Sequence, residues 1–158
     1  EGLFLGLSVK DNIVSSNLDI VSGKFGFVDA RSEKSVAEKG VKKLDVRTPS
    51  ISTTVRSLSG GNQQKLIVSR WLAKDVKVLI LDEPTRGIDV GAKRAIYEIM
   101  RSLAAEGIAI VMISSELPEI LGMSDRVAVM CRGRIAKILD REEASQENIM
   151  TYATGGTR

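Results

Sequence analysis

LSGGNQQK, residues Leu58 to Lys65, followed by VLILDEPT, residues Val78 to Thr85, are the stretches on which the reading of the chain turns. Ser59 is of the type that caps helices, and the spacing predicts a helix from Gly60 to Lys74. Two glycines leave its first turn without side chains, so another group can approach the backbone closely. The first N–H groups of a helix have no internal partner and sit at the positive end of its dipole. An anion is therefore stabilised there, more so with Lys65 nearby, and a phosphate suits the place. Taken alone, Ser-Gly-Gly also describes an ordinary serine-capped helix after a glycine turn.

VLILDEPT supplies the context. Val78 to Leu81 is a continuous apolar run followed by two acids and a proline, which predicts a short strand buried on both faces, as in a parallel sheet. Ligands of such sheets collect at the carboxyl ends of the strands. Asp82 is placed to hold a hard cation such as Mg²⁺, and Glu83 to orient or deprotonate a water. An acidic pair after a strand, read by itself, is also a solvated turn.

In series, LSGGNQQK, VLILDEPT and Arg86-Gly87-Ile88-Asp89 resemble the signature, Walker B and D-loop motifs of the ATP-binding-cassette (ABC) family. The Asn62 variant and the run on to Lys93 look most like the second cassette of bacterial sugar-importer ATPases of the ribose, galactose and xylose type. The resemblance continues through Ile113 to Glu119 and Met123 to Arg126. It implies an α/β fold, the C-terminal part of a P-loop NTPase-like cassette with a helical signature subdomain, here residues 1–75, and later core strands, residues 76–158. It implies ATP and Mg²⁺ as cofactors. Ser59, Gly60 and Gly61 are then expected to meet the γ-phosphate of a facing cassette's ATP, with Gln63 also among the cofactor-binding residues. Asp82 serves as metal ligand, Glu83 as catalytic base and Asp89 as an interface residue. For Asp89, capping of the next helix is the plainer reading.

The family usually places a switch histidine after the next strand, and matching the motifs puts Ser115 there. A hydroxyl donates one hydrogen bond but carries no charge, so this departure bears on catalytic competence. G-x-x-x-x-G-K-[ST] meets only Gly23-Lys24, with Leu18 at the first glycine position and Phe25 after the lysine. The sequence thus contains no Walker A match. The family's glutamine loop finds no match either, and with Glu1 in mid-domain sequence the chain reads as a fragment, expected to be inactive alone. Partners implied by resemblance are a second cassette, transmembrane permease subunits and, indirectly, a periplasmic sugar-binding protein. The implied place is the cytoplasmic face of the inner membrane. A catalytically idle cassette of the same transporter is the alternative. A soluble DNA-repair or ribosome-associated ATPase would bring coiled-coil heptads or long basic linkers, and neither is visible.

Composition agrees with a globular domain: of 158 residues 43% are hydrophobic and 27% charged, which is not the balance of a disordered chain. A net charge of +3, spread out, makes no argument for nucleic acid. The absence of histidine excludes serine-histidine and cysteine-histidine catalysis within the chain. Cys131, the single cysteine, excludes an internal disulfide and reads as a small buried hydrophobe. The longest apolar run, Ile108 to Ile113, is too short to span a bilayer, and the start does not read as a signal peptide.

Periodicity predicts helices over Ser8 to Val21, Ser32 to Leu44, Val90 to Glu106, Glu116 to Leu121 and Ser145 to Tyr152, with strands over Lys77 to Leu81, Ile108 to Ile113, Arg126 to Cys131 and Arg134 to Leu139. Asp45 to Leu58, rich in serine and threonine, reads as a linker. Leu66, Ile67 and Trp71 are expected to face the core from the signature helix.

Overall fold

The structure is a computed structural model and describes residues 2–23 and 26–156. Of the residues used above, Glu1, Lys24 and Phe25 lie outside the described ones. The chain divides into two compact units, Glu1–Val111 and Met112–Arg158. The class is mixed α/β, as the alternation of patterns predicts.

In the first unit the single predicted helix from Ser8 to Val21 is two helices, α1 (Val9–Val14) and α2 (Leu18–Val21). Ser8 starts α1 with a reciprocal capping box to Asp11. The break comes from buried Asn17, whose amide donates to Ile13 O at 2.6 Å and to Arg70 O at 2.8 Å. That pins the chain to a later helix, and Leu18 is left exposed. α3 (Ala30–Lys43) begins earlier than predicted because Asp29 caps it, accepting from Ser32 N at 2.9 Å and Ser32 Oγ at 2.6 Å. Those bonds, the hydroxyl's foremost, hold the Asp29 carboxyl below the usual carboxylate range.

The stretch read as a linker is packed structure. Val46, Val55 and Leu58 are buried, Val55–Ser57 forms a 3₁₀ turn, and Val9 N and Lys10 N donate to Thr53 O and Ile51 O. Its serines and threonines close turns on one another, as Thr48 Oγ1 does on Ser50 O, which is why their composition resembled a flexible loop. α4 (Gly60–Trp71) follows and buries Leu66, Val68, Ser69 and Arg70. Trp71 is not core: it is 48% exposed, with the Arg70 guanidinium 5.5 Å from its ring centroid. The inward stripe runs through Leu66, Ser69 and Arg70 at helical spacing, and the indole falls beside it.

β1 (Val78–Asp82) and β2 (Ala109–Ile113) form a two-stranded sheet, joined by α5 (Val90–Ala105). Gly107, at φ 89°, ends that connection. β1 is buried on one face only: Leu79 and Leu81 point in, while Val78 and Ile80 are exposed. The apolar run therefore overstated its burial, because among the described residues only one side of the strand is covered. β2 alternates likewise, and the limit between the units falls within it.

The second unit holds α6 (Leu117–Met123), the antiparallel hairpin of β3 (Arg126–Cys131) and β4 (Arg134–Asp140), and α7 (Gln146–Ala153). Arg132 and Gly133 both take positive φ, the conformation a two-residue hairpin turn requires. Val127, Val129, Leu139 and Ile149 form the core of this unit, with Leu117, Ile120 and Tyr152 packed against them. Cys131 is half-buried rather than sealed. No helix among the described residues is long and apolar enough to cross a membrane.

Candidate functional site

The LSGG turn occupies the start of α4. Ser59 is at the N-cap position in extended backbone, yet its side chain makes no cap bond to the first turn. Its oxygen is taken instead by the Asn62 amide, which donates to Ser59 Oγ at 2.9 Å. The first-turn N–H groups therefore go without the capping oxygen that Ser8 supplies to α1. Gly60 and Gly61 do more than leave the turn open. A β-carbon on Gly60 would lie 3.5 Å from Ile88, and one on Gly61 only 2.7 Å from the Ala92 β-carbon. The turn is thus seated directly on the start of α5.

Two of its neighbours are committed elsewhere. Gln63 donates through Nε2 to Leu58 O at 3.0 Å and Val55 O at 3.3 Å, tying the preceding turn to α4. Lys65, expected to add charge at the turn, donates to Asp45 O at 2.9 Å, with the Asp45 carboxylate 3.8 Å away. Its ammonium is held by the packed 45–58 segment, which composition gave no reason to place there.

Asp82 ends β1 with its side chain exposed, and Glu83 follows at φ 47°, a left-handed conformation that costs a non-glycine residue on the order of 1–3 kcal/mol. Buried Pro84 and Thr85 then anchor a tight turn in which Arg86 N donates to Glu83 O at 3.2 Å, and Gly87 also takes positive φ. The strand end is a turn held by that hydrogen bond and by buried Pro84 and Thr85, with Asp82 facing solvent. Asp89 caps α5, accepting from Ala92 N at 2.9 Å. The plainer reading of Asp89 is thereby realised, and Ala92, the residue it binds, is the one against Gly61. The geometry brings the LSGG turn together with the segment that follows Asp82 and Glu83.

No group of three or more acidic, histidine or cysteine side chains among the described residues could hold a metal by itself. Mg²⁺ needs no such cage: one carboxylate, nucleotide phosphates and waters complete its shell, and Asp82 at the mouth of the strand fits that part. The glycine turn, without a capping oxygen, fits a phosphate. In the second unit Ser115 is exposed in the loop between β2 and α6. That loop is fixed by its neighbour Ser114, which donates to the buried Glu119 carboxylate and accepts from Glu116 N at 3.0 Å. Sequence reasoning missed this clasp, although Ser-x-Glu ahead of a helix is a turn-forming pattern.

In this mixed α/β fold the glycine turn at the start of α4 is seated on the start of α5, the helix that follows the acidic end of β1. The chain belongs to the ABC transporter family, whose model matches residues 1–86. It is 53% identical over its whole length to the ribose import ATP-binding protein RbsA of Hahella chejuensis and 54% identical over 99% of its length to RbsA of Oceanobacillus iheyensis. It spans 32% and 31% of those two proteins, about a third of the curated relatives it matches. Its fold is similar to a metal-chelate type ABC transporter solved in an inward-facing conformation, with a TM-score of 0.81 over 97% of this chain and 60% of that one. At 18% identity that likeness speaks to the fold alone.

Proposed function

We propose that the chain is part of the ATP-hydrolysing subunit of a bacterial ABC sugar importer, coupling ATP binding and hydrolysis to sugar uptake. The observation that carries this is the packing of Gly60 and Gly61 against Ile88 and Ala92, which sets the LSGG turn beside the segment following Asp82-Glu83. The import of ribose by relatives more than half identical supports the substrate class.

In this reading residues 1–75 are the helical signature subdomain and 76–158 belong to the nucleotide-binding core. Ser59, Gly60 and Gly61 bind the γ-phosphate of ATP held by a facing cassette, through backbone N–H groups at the positive end of α4. Asp82 holds Mg²⁺, which neutralises phosphate charge when bound. Glu83, fixed in its bend, accepts a proton from the attacking water. Asp89 orders the start of α5 at the interface of the two cassettes. Gln63 acts by holding the turn from behind. The partners are a second cassette and transmembrane permease subunits at the cytoplasmic face of the cell membrane, with a periplasmic sugar-binding protein acting through the permease.

The test is Glu83→Gln in the full-length ATPase assembled with its permease. ATP binding should persist while hydrolysis falls by about 10²- to 10⁴-fold, the usual worth of a general base. Turnover equal to that of the unaltered protein would remove Glu83 from the mechanism. One observation favours a second reading, a cassette that binds ATP without hydrolysing it: Ser115, exposed after β2, has no proton-dependent charge to offer. That reading predicts the unchanged turnover.

A further inference from the structure

The side chain of Asn62 stands between two groups that fix which way it faces. Its Oδ1 accepts the backbone N–H of Arg47 at 2.8 Å, and its Nδ2 donates to Ser59 Oγ at 2.9 Å. A backbone N–H can only donate, so the amide oxygen must face Arg47 and the NH₂ must face the serine. Arg47 is itself held: Val46 beside it is buried and donates to Val41 O at 3.0 Å, and the Asp45 carbonyl is bound by Lys65.

Two consequences follow for Ser59. Its oxygen is an acceptor on the Asn62 side, and in that orientation it makes no cap bond to the first turn of α4. Its own proton must then be given to an acceptor other than Asn62. We propose that Asn62 is a positioning residue that presents the Ser59 hydroxyl as a hydrogen-bond donor to the γ-phosphate at the α4 turn while keeping the first-turn N–H groups clear for the same anion. The inference rests on the γ-phosphate reading of that turn. An N-cap serine without such a partner turns its oxygen onto the helix, as Ser8 does on Asp11 N.

The experiment is a double-mutant cycle in the full-length ATPase with its permease, reading kcat/KM for ATP hydrolysis and, separately, Mg-ADP affinity. Ser59→Ala should lower kcat/KM by about tenfold, the scale of one hydrogen bond to a charged group. Asn62→Ala should lower it by a comparable or smaller factor, and the double variant should fall no further than Ser59→Ala alone. Mg-ADP, which lacks the γ-phosphate, should bind all three equally. Losses that multiply, full activity of Asn62→Ala beside a defective Ser59→Ala, or weakened Mg-ADP binding in Asn62→Ala would each overturn the positioning role and leave the phosphate reading intact. An inert Ser59→Ala would instead overturn the phosphate reading, and this inference with it. Asn62→Asp keeps the shape but can only accept, so it draws the serine proton inward. It should be less active than Asn62→Ala, and the reverse order would count against the proposal.

Discussion

Gly61 has a reason to lack a side chain that is independent of the phosphate role proposed for it. A β-carbon there would stand 2.7 Å from the Ala92 β-carbon, well inside contact distance. Gly61→Ala should therefore destabilise the fold by about 1–3 kcal/mol, the usual cost of overpacking, even with no nucleotide present. Pairing it with Ala92→Gly should recover most of that loss in urea unfolding. A Gly61→Ala chain as stable as the unaltered one would mean that the two helix starts are not in firm contact. At this scale the glycine start of α4 at Gly60 and Gly61 and the acidic end of β1 at Asp82 and Glu83 were legible in the sequence as local structure, since each is written in adjacent residues. Gln63, Lys65 and Trp71 were not. Their partners, Leu58, Asp45 and Arg70, are chosen by how α4 is rotated and what lies behind it.

Among the elements, α3 poses the clearest case of local preference overruled. Gly40 weakens the helix by propensity, yet a β-carbon there would lie 2.5 Å from Ser69 Oγ on α4 and 3.4 Å from Ile13. The glycine is the point of close approach of the two helices. Ser69 Oγ is also buried without a hydrogen-bond partner, so its hydroxyl contributes little to stability. Gly40→Ala alone should destabilise the chain, because a clash of about 1–3 kcal/mol exceeds the roughly 1 kcal/mol gained in helix propensity. With Ser69→Ala added the clash is gone, and the double variant should exceed the unaltered chain by about 1 kcal/mol in chemical denaturation. A double variant no more stable than Gly40→Ala alone would show that the obstacle is not the serine oxygen. The same logic explains α1 and α2. Periodicity described one helix, but Asn17 reaches Arg70 O, fifty-three residues on, and breaks it.

The outer face of β1 matters for the chain as a whole. Val78 is 54% and Ile80 65% exposed, on a strand whose other face is buried. Paired apolar side chains on an open strand face invite association. Val78→Thr with Ile80→Thr should lower self-association of this chain in sedimentation, with little loss of stability. Undiminished association would place the sticky surface elsewhere, Phe4 and Leu7 being the next candidates. By itself the sequence determined the mixed α/β class, the start of α4, the strand ending in Asp82-Glu83, the hairpin turn at Arg132-Gly133 and the capped α5. Each is written in contiguous residues, where capping, period and turn chemistry act over a few positions. The tertiary structure alone decided the break between α1 and α2, the packed course of residues 45–58, the exposure of Trp71 and the turning of Asn62 onto Ser59. Those depend on groups far apart in the chain, and no local pattern records which of them will meet.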